Sequence, residues 1–191
     1  MSMERTNMTA AGNSLRDRAL ALLDDANVEY RVVRHPAIDN VQEGFDRGVV
    51  ELLGLEPGGI VRNLLVVDTH GNPVLIVTGD EGRVDLKAVK AAAGTTRLSF
   101  ASPEIMMSAL NTELGRVSLF DVLTTTHDNN DADSEEGRPV TVAVSAALQR
   151  YAGAIAFPLF SNAESIVFDA GHLVDVLQFL AEQCSIAVVT F

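Results

Sequence analysis

Arg62 stands among branched aliphatic residues, in the stretch GGIVRNLLVVD that covers residues 58–68. A guanidinium carries five hydrogen-bond donors and stays charged at any ordinary pH. Burying it without a partner costs several kcal/mol, so the side chain must either pair with an acid or reach into a cleft. We expect Arg62 to face a pocket, where Asp80 is one candidate partner.

Other polar residues also interrupt the apolar runs, each on a predicted strand or at its end. Open binding sites collect at such positions, so these residues are candidate pocket groups. Taken singly, each has an ordinary structural interpretation as a turn, cap or loop residue, and only Arg62 lacks one. The candidates are His35, Asn63, Asp80, Gly115, Ser118 and Asn162.

Several common catalytic patterns are absent from the sequence. There is no glycine-rich phosphate loop, dinucleotide fingerprint or nucleophile elbow. The four histidines show no metal-ligand spacing, and the single cysteine, Cys184, excludes an internal disulfide and a cysteine-based zinc cluster. No Ser–His–acid triad can be assigned. A hydrolase with this sequence would rely on positioned water and oxyanion stabilisation, without a covalent intermediate.

Composition limits the class of protein. The chain has 191 residues, 47% of them hydrophobic, which suffices for one domain with a sizeable core. Its formal net charge of −12 argues against a broad nucleic-acid-binding surface and against general DNA binding. No apolar run approaches a membrane span, and the polar N-terminus lacks the apolar stretch of a secretory signal. We therefore expect a cytoplasmic protein that does not bind membranes.

Hydrophobic periodicity predicts helices and strands without a regular βα alternation, hence the α+β class. The expected architecture is a curved, mixed and largely antiparallel β-sheet flanked by helices. A hairpin is predicted from IVRNLLVVD and PVLIVT, joined by a turn after Asp68. The predicted helices begin after Ser14, Asn40, Asp85, Ser102 and Asp169, and the predicted strands include VEYRVV, VSLFDVL, VTVAV, AIAF, SIVF and SIAVVTF.

The chain is expected to form one domain over residues 14–191, preceded by a flexible tail at 1–13. The stretch TTTHDNNDADSEEGRP, residues 124–139, has no Val, Leu, Ile, Met or aromatic residue and is predicted to be an acidic surface loop. A calcium-binding loop is the alternative. It is disfavoured because Asp131 and Asp133 are not followed by the glycine that such a loop requires.

Five stretches occur in an order that is typical of one known family. They are VEYRVVRHPAI, VRNLLVVD, VTGDEGRVDLKAVKAAAG, GRVSLFDVL and AFPLFSNAESIVF. Together, from about Leu15 to Leu180, they resemble the YbaK-like aminoacyl-tRNA deacylases, which are related to the editing domain of bacterial prolyl-tRNA synthetase. The resemblance implies a curved mixed sheet with a pocket for the misattached aminoacyl group and the terminal adenosine. It also implies ester hydrolysis without a metal or organic cofactor.

The sequence departs from this family at three motif positions. Arg62 takes the place of the characteristic lysine, keeping the charge but not the compact ammonium shape. Leu119 and Asp121 replace the proline and the second glycine of a Gly-x-x-x-Pro-x-Gly turn. The departures leave the fold assignment intact and put the activity in question. The positions that match the family are His35, Gly115 and Asn162.

The resemblance implies an enzyme that cleaves the ester of mischarged tRNA in trans. Its partner would be the acceptor end of aminoacyl-tRNA, and an aminoacyl-tRNA synthetase could supply the tRNA affinity that an acidic surface lacks. The alternative is a catalytically degenerate homologue that binds an aminoacyl ligand or a protein. The predicted catalytic residues are Arg62 and Gly115, and the predicted substrate-binding residues are His35, Asn63, Asp80, Ser118 and Asn162.

Overall fold

The structure, a computed structural model, describes residues 14–79, 82–125 and 139–191. Three features predicted from the sequence therefore lie outside the described residues: the tail at 1–13, Asp80, and the acidic loop over 126–138. No helix among the described residues is long and apolar enough to cross a membrane.

Helices and strands alternate irregularly along the described chain. The strands are β1 Tyr30–Arg34, β2 Arg62–Val67, β3 Pro73–Thr78, β4 Ser99–Phe100, β5 Val140–Val144, β6 Ala154–Pro158, β7 Glu164–Asp169 and β8 Ile186–Thr190. The α-helices are α1 Leu15–Asp25, α2 Val41–Asp46, α3 Val49–Leu53, α4 Leu86–Ala93, α5 Pro103–Leu110, α6 Ala146–Arg150 and α7 Leu173–Gln183. Three 3₁₀ helices cover Pro57–Gly59, Leu119–Thr125 and Ala170–His172.

The described strands form two hydrogen-bonded sheets. The smaller has the order β1-β7-β6 with both pairs antiparallel, and the larger has the order β4-β2-β3-β5-β8. In the larger sheet, β2 is antiparallel to β3 and β4, whereas β5 is parallel to both of its neighbours. The predicted α+β class with a mixed, mainly antiparallel strand arrangement is confirmed.

Local sequence signals set the helix starts. Ser14 forms a capping box with Asp17 at the start of α1. The carboxylate of Asp85 accepts two backbone N–H groups at the start of α4. Ser102 caps α5, whose first residue is Pro103, where the missing N–H costs nothing. The helix starts predicted at these three caps are confirmed.

Two predicted elements differ from the structure. The helix predicted to begin after Asn40 is divided into α2 and α3 at Gly48, whose φ of +68° lies in the left-handed region. The strand expected from VSLFDVL is wrong, because Leu119–Thr125 is a 3₁₀ helix. Its residues from 119 to 123 are all buried, and the Ser118 hydroxyl accepts the N–H of Phe120, a local bond that competes with strand pairing.

The main core lies between the sheets and is covered by α1, α7 and the Leu119–Thr125 helix. Phe157 stacks on Phe168 with ring centroids 5.7 Å apart and meets Phe120 edge-on at 5.9 Å. Because Phe157 comes from β6 and Phe168 from β7, these ring contacts fix the small sheet against the helix that follows the Gly115 turn.

The β2–β3 hairpin loop is organised by the buried carboxylate of Asp68. It accepts the backbone N–H groups of His70 and Asn72 at 2.8 and 2.9 Å and the Thr95 hydroxyl at 2.7 Å. Burial acts to raise the pKa of Asp68, but these bonds, with one from the Asn72 side chain, outweigh it and hold the pKa below its ordinary value.

We predict that Asp68→Ala lowers the urea midpoint of unfolding more than Asp169→Ala does. Asp169 is the weaker control because its carboxylate accepts one exposed N–H, from Gly171. Since the folded-state pKa of Asp68 is depressed, its contribution is present above pH 4 and is lost as the pH falls further. The gap between wild type and Asp68→Ala should therefore narrow below pH 4, and a gap independent of pH would contradict this role.

Candidate functional site

A cavity of about 530 Å³ opens where the two sheets meet. One wall is the start of β2, and the opposite wall is the end of β6 with Ser165 of β7. The segment that contains α2 and α3 closes one side, and the turn from Leu114 to Val117 closes another. Most of the lining side chains are apolar, including Ile38, Val49, Leu53, Leu55, Ile60, Leu64, Phe100, Met106 and Val117.

The cavity brings together most of the candidate residues taken from the sequence. Those that line it are His35, Arg62, Asn63, Gly115 and Asn162. Ser118 does not line it: the residue is buried, and its hydroxyl donates to the carbonyl of Pro158 at 2.6 Å. Asp80 lies outside the described residues.

Strand β2 borders the cavity along one edge. It pairs with β3 over its whole length, but β4 pairs only with Val66 and Val67. One further bond, from the Ala101 N–H to the Leu65 carbonyl, extends the contact on that side. Among the described residues no strand lies opposite the first half of that edge, and the cavity occupies this position.

The backbone groups of Asn63 point towards this open edge. In an antiparallel pair, residues alternate between those bonded to the partner strand and those pointing away. The Leu65 carbonyl bonds Ala101 on the β4 side, so Asn63, two residues earlier, has the same orientation. The residue opposite Asn63 on β3, Val77, points away from β2, because its carbonyl accepts the Ser145 N–H on the far side of β3. Asn63 and Val77 are therefore not bonded to each other, which confirms the outward orientation of Asn63.

Side chains of β2 alternate between two faces. Asn63 shares its face with Leu65 and Val67, which belong to the main core, whereas Arg62 lies with Leu64 and Val66 on the α4 side. The Arg62 Nη2 donates to the carbonyl of Gly82 at 2.7 Å, which holds the guanidinium at the cavity rim. This resolves the presence of an arginine in an apolar strand: Arg62 is half-buried at the first residue, where the strand meets the cavity.

The imidazole of His35 is held through both ring nitrogens. Nδ1 lies 2.9 Å from the Pro36 carbonyl, and Nε2 lies 2.9 Å from the hydroxyl of Ser165. A carbonyl can only accept, so Nδ1 carries the proton and Nε2 of the neutral ring accepts from Ser165. His35 therefore fixes the hydroxyl of Ser165 on the cavity wall.

Gly115 lies against the chain that enters α2. Its φ is +83°, and a Cβ at this position would lie 3.0 Å from the carbonyl oxygen of Asp39. The Asn162 side chain donates to the Asp39 carboxylate at 2.9 Å, and the Ile38 N–H donates to the Asn162 carbonyl. Only glycine fits such a close backbone approach at this φ.

The turn after Gly115 is held by a buried acid. The carboxylate of Asp121, 3% exposed, accepts the Ser118 N–H at 2.8 Å. Burial raises the pKa of Asp121 to about 7, although the bonds from the Ser118 N–H and the Thr112 side chain act in the opposite direction. A second cavity, of about 120 Å³, lies beside this carboxyl.

Sequence reasoning missed three contributors to the cavity. Asp39 and Ser165 become important only through partners 123 and 130 residues away in the chain. The strand of Phe100 has only two residues, which is too short for its hydrophobic pattern to predict it from the sequence. The side chain of Phe100 is 66% exposed at the cavity rim. A polar residue within the otherwise apolar pattern SIVF was the one available hint, for Ser165.

The described residues contain no group of three or more His, Cys, Asp or Glu side chains placed to hold a metal ion. The cavity instead offers backbone groups, a rim guanidinium, the amides of Asn63 and Asn162, and the Asp39 carboxylate. Such a set can bind a polar group on an otherwise apolar ligand and stabilise negative charge that develops on it.

The fold defines a class of small α+β domains known from solved structures. The structure matches that of the hypothetical protein APE2540 with a TM-score of 0.62 and 16% identity, covering 90% of this chain and 98% of the other. It matches a candidate trans-editing enzyme for prolyl tRNA synthetase with a TM-score of 0.60 and 17% identity, covering 94% and 98%. At these identities, the likeness shows the fold alone.

The family profile of the aminoacyl-tRNA editing domain matches residues 46–170, and the chain belongs to this family. The Prolyl-tRNA editing protein ProX of Acetoanaerobium sticklandii is 30% identical over 110 residues. That match covers 56% of this chain and 63% of the relative, so it spans less than two thirds of the relative's length. The family resemblance read from the sequence is thus confirmed.

We predict that Asp121→Asn is more stable than wild type at pH 8 and equally stable at pH 4. The raised folded-state pKa favours the native state at low pH, and this contribution is lost between pH 4 and about 7. At about 1.4 kcal/mol per pKa unit, the difference is at most about 4 kcal/mol. Urea unfolding at both pH values measures the difference in unfolding free energy between Asp121→Asn and wild type. The same difference at pH 4 and pH 8 would contradict a raised pKa of Asp121.

Proposed function

We propose that this protein hydrolyses the ester that joins a misattached amino acid to the 3′ end of tRNA, acting as a free-standing editing enzyme. Membership of the editing-domain family supports this proposal, as do the name of the ProX relative and the fold shared with a candidate trans-editing enzyme. The observation that carries it is the cavity, which combines apolar walls with the Gly115 turn and a cation at its rim.

The Gly115 turn supplies the groups for oxyanion stabilisation. The backbone N–H groups of Gly115 and Val117 donate to no other described residue, and both residues line the cavity. Unpaired N–H donors in a water-poor site stabilise the negative charge that develops on an ester carbonyl as water attacks it. The hydroxyl of the substrate's own ribose helps to orient that water, so the enzyme needs no covalent nucleophile.

Arg62 is proposed to bind the substrate at the cavity rim. Its guanidinium, positioned by the Gly82 carbonyl, is proposed to contact the ribose-phosphate of the terminal nucleotide. A planar guanidinium suits a phosphate oxygen pair better than the single carbonyl that an ammonium would hold. Ser118 is proposed to support the Gly115 turn from behind, and Asp80 remains a proposed substrate-binding residue on the sequence evidence alone.

The partners follow from charge. The acceptor end of aminoacyl-tRNA enters the cavity, while a net charge of −12 provides little affinity for the rest of the tRNA. We therefore propose that an aminoacyl-tRNA synthetase in the cytoplasm presents the substrate. Ester hydrolysis by this route needs neither a metal nor an organic cofactor.

One observation favours a second function, that of a binding module without turnover. Asp121 occupies the position of a family glycine, and its carboxylate takes up the N–H of Ser118 in the turn that would stabilise the oxyanion. A displacement of ~1 Å in such a turn can cost about 100-fold in rate. A module of this kind would still bind an aminoacyl ligand in the cavity.

The deciding experiment measures release of radiolabelled amino acid from mischarged tRNA. The panel contains tRNA carrying alanine, serine or cysteine, with correctly charged tRNA as the control. Faster release than the spontaneous rate from at least one mischarged tRNA supports the enzyme. Tight binding of a non-hydrolysable aminoacyl-adenosine without any release supports the binding module instead.

We predict that Arg62→Ala lowers kcat/KM about 10- to 100-fold, the value of a charged hydrogen bond, while the melting temperature changes little. Arg97→Ala is the matched control, since Arg97 is exposed and does not line the cavity. Arg62→Lys should restore the family's lysine and raise kcat. A large fall in the melting temperature of Arg62→Ala would identify a structural residue.

We also predict that Gly115→Ala lowers kcat about 100-fold, because the Cβ forces the turn and the Asp39 backbone apart. Gly94→Ala is the matched control: its φ is +62°, but no atom lies within 4 Å of the added Cβ. Both variants should lose stability through backbone strain, whereas only Gly115→Ala should lose turnover. Equal kcat values in the two variants would exclude the turn from catalysis.

A further inference from the structure

The open edge of β2 leaves Asn63 with both of its main-chain groups facing the cavity. Asn63 points its N–H and C=O away from β3, as the Leu65–Ala101 and Val77–Ser145 bonds require. Neither group of Asn63 is bonded to another described residue. Backbone donors and acceptors at a covered position need partners, and here those partners must come from within the cavity.

The side chain of the same residue is also incompletely bonded. The Oδ1 atom of Asn63 is buried and has no hydrogen-bond partner among the described residues. Native proteins rarely leave a buried acceptor in this state, because the lost hydration is not replaced. One acceptor and one donor of the Asn63 main chain therefore border the cavity and lack protein partners, and the buried Oδ1 lacks a partner as well.

The N–H and C=O of Asn63 match the main-chain groups of an amino acid. Where two strands pair, one residue donates its N–H to the C=O of the residue opposite and accepts the N–H of that residue in return. An aminoacyl ester has the same arrangement, with an α-ammonium on one side of the α-carbon and a carbonyl oxygen on the other. Addition of an extended ligand to a strand edge is a common mode of peptide recognition.

We propose that Asn63 is the subsite for the aminoacyl group: its main-chain carbonyl accepts from the substrate α-ammonium, and its main-chain N–H donates to the acyl carbonyl oxygen. This proposal rests on the proposed function and deepens it. Asn63 thereby becomes a residue that specifies α-amino acids, rather than acyl groups in general. The amino acid side chain then points to the apolar lining, which is left to select its size.

Charge on the two faces of β2 is compatible with this subsite. A guanidinium beside the α-ammonium would repel it, but Arg62 lies on the α4 side of the strand and Asn63 on the core side. The Asp39 carboxylate also lines the cavity and carries the opposite charge to an ammonium. The Arg62 side chain leaves β2 perpendicular to the sheet and is held by the Gly82 carbonyl, whereas the Asn63 carbonyl points outward in the plane of the sheet, which separates the two positive charges.

The test compares the affinities of two non-hydrolysable ligands for the wild-type protein. In both, the 3′ amine of 3′-amino-adenosine carries the acyl group as an amide; one acyl group is alanyl and the other is propionyl, which lacks only the α-ammonium. Isothermal titration calorimetry should give at least a tenfold weaker Kd for the propionyl ligand. Equal Kd values for the two ligands would overturn the proposal.

A second arm removes the Asn63 N–H without disturbing the β2–β3 pairing. Proline is tolerated in a strand where the N–H points away from the partner, so Asn63→Pro should unfold cooperatively, near the wild-type midpoint. It should bind the alanyl ligand at least tenfold more weakly, while Asn63→Ala keeps both main-chain groups and loses less. Leu64→Pro removes a ladder bond to β3 and should unfold, which verifies the strand orientation.

The outcomes separate this proposal from the proposed function. If mischarged tRNA is hydrolysed but the alanyl and propionyl ligands bind equally, the subsite is wrong and the enzyme stands. If no tRNA is hydrolysed but the alanyl ligand binds at least tenfold more tightly, the subsite stands and the enzyme is wrong. Should Asn63→Pro fail to fold, the two-ligand comparison on the wild-type protein decides alone.

Discussion

The cavity depends on the incomplete pairing of one strand. β2 is bonded to β3 along its full length, but on its other side β4 reaches only Val66 and Val67. A longer β4 would cover the start of β2 and occupy the space where the cavity lies. The chain instead leaves β4 after two residues, enters α5 at Pro103 and returns through the Gly115 turn. An exposed strand edge is usually a liability, and here the α2–α3 segment and the small sheet shield it.

In our proposal this arrangement gives an acidic protein a site for an acylated nucleotide. The backbone groups of Asn63 and of the Gly115 turn stay in position because β2 is fixed by pairing with β3 and the turn by packing of Phe120 on Phe157. Preorganised donors of this kind stabilise developing charge without a triad or a reactive side chain. The exposed Phe100 and the Arg62 guanidinium lie on the rim, where the remainder of a nucleotide would contact the protein.

The sequence predicted what depends on neighbouring residues. Ser14, Asp85 and Ser102 mark helix starts through bonds that span three residues or fewer, and the β2–β3 hairpin follows from the turn after Asp68. The prediction from sequence failed where contacts between distant residues determine the local structure. The stretch VSLFDVL was predicted to be a strand, but Leu119–Thr125 is a 3₁₀ helix whose residues from 119 to 123 are all buried. Likewise, His35, Arg62, Gly115 and Asn162 could be chosen by type, whereas the open edge at Asn63 depends on where β4 ends, which no local pattern reveals.

We propose that the acyl group of an aminoacyl-tRNA end binds beside the open edge of β2. The most direct measurement is an ¹H–¹⁵N NMR titration with a non-hydrolysable aminoacyl-adenosine. The account predicts that the largest amide shifts occur at Asn63, Gly115 and Val117, which line the cavity from two sides. Saturable binding with its largest shifts at residues away from this cavity, and none at Asn63, would contradict it.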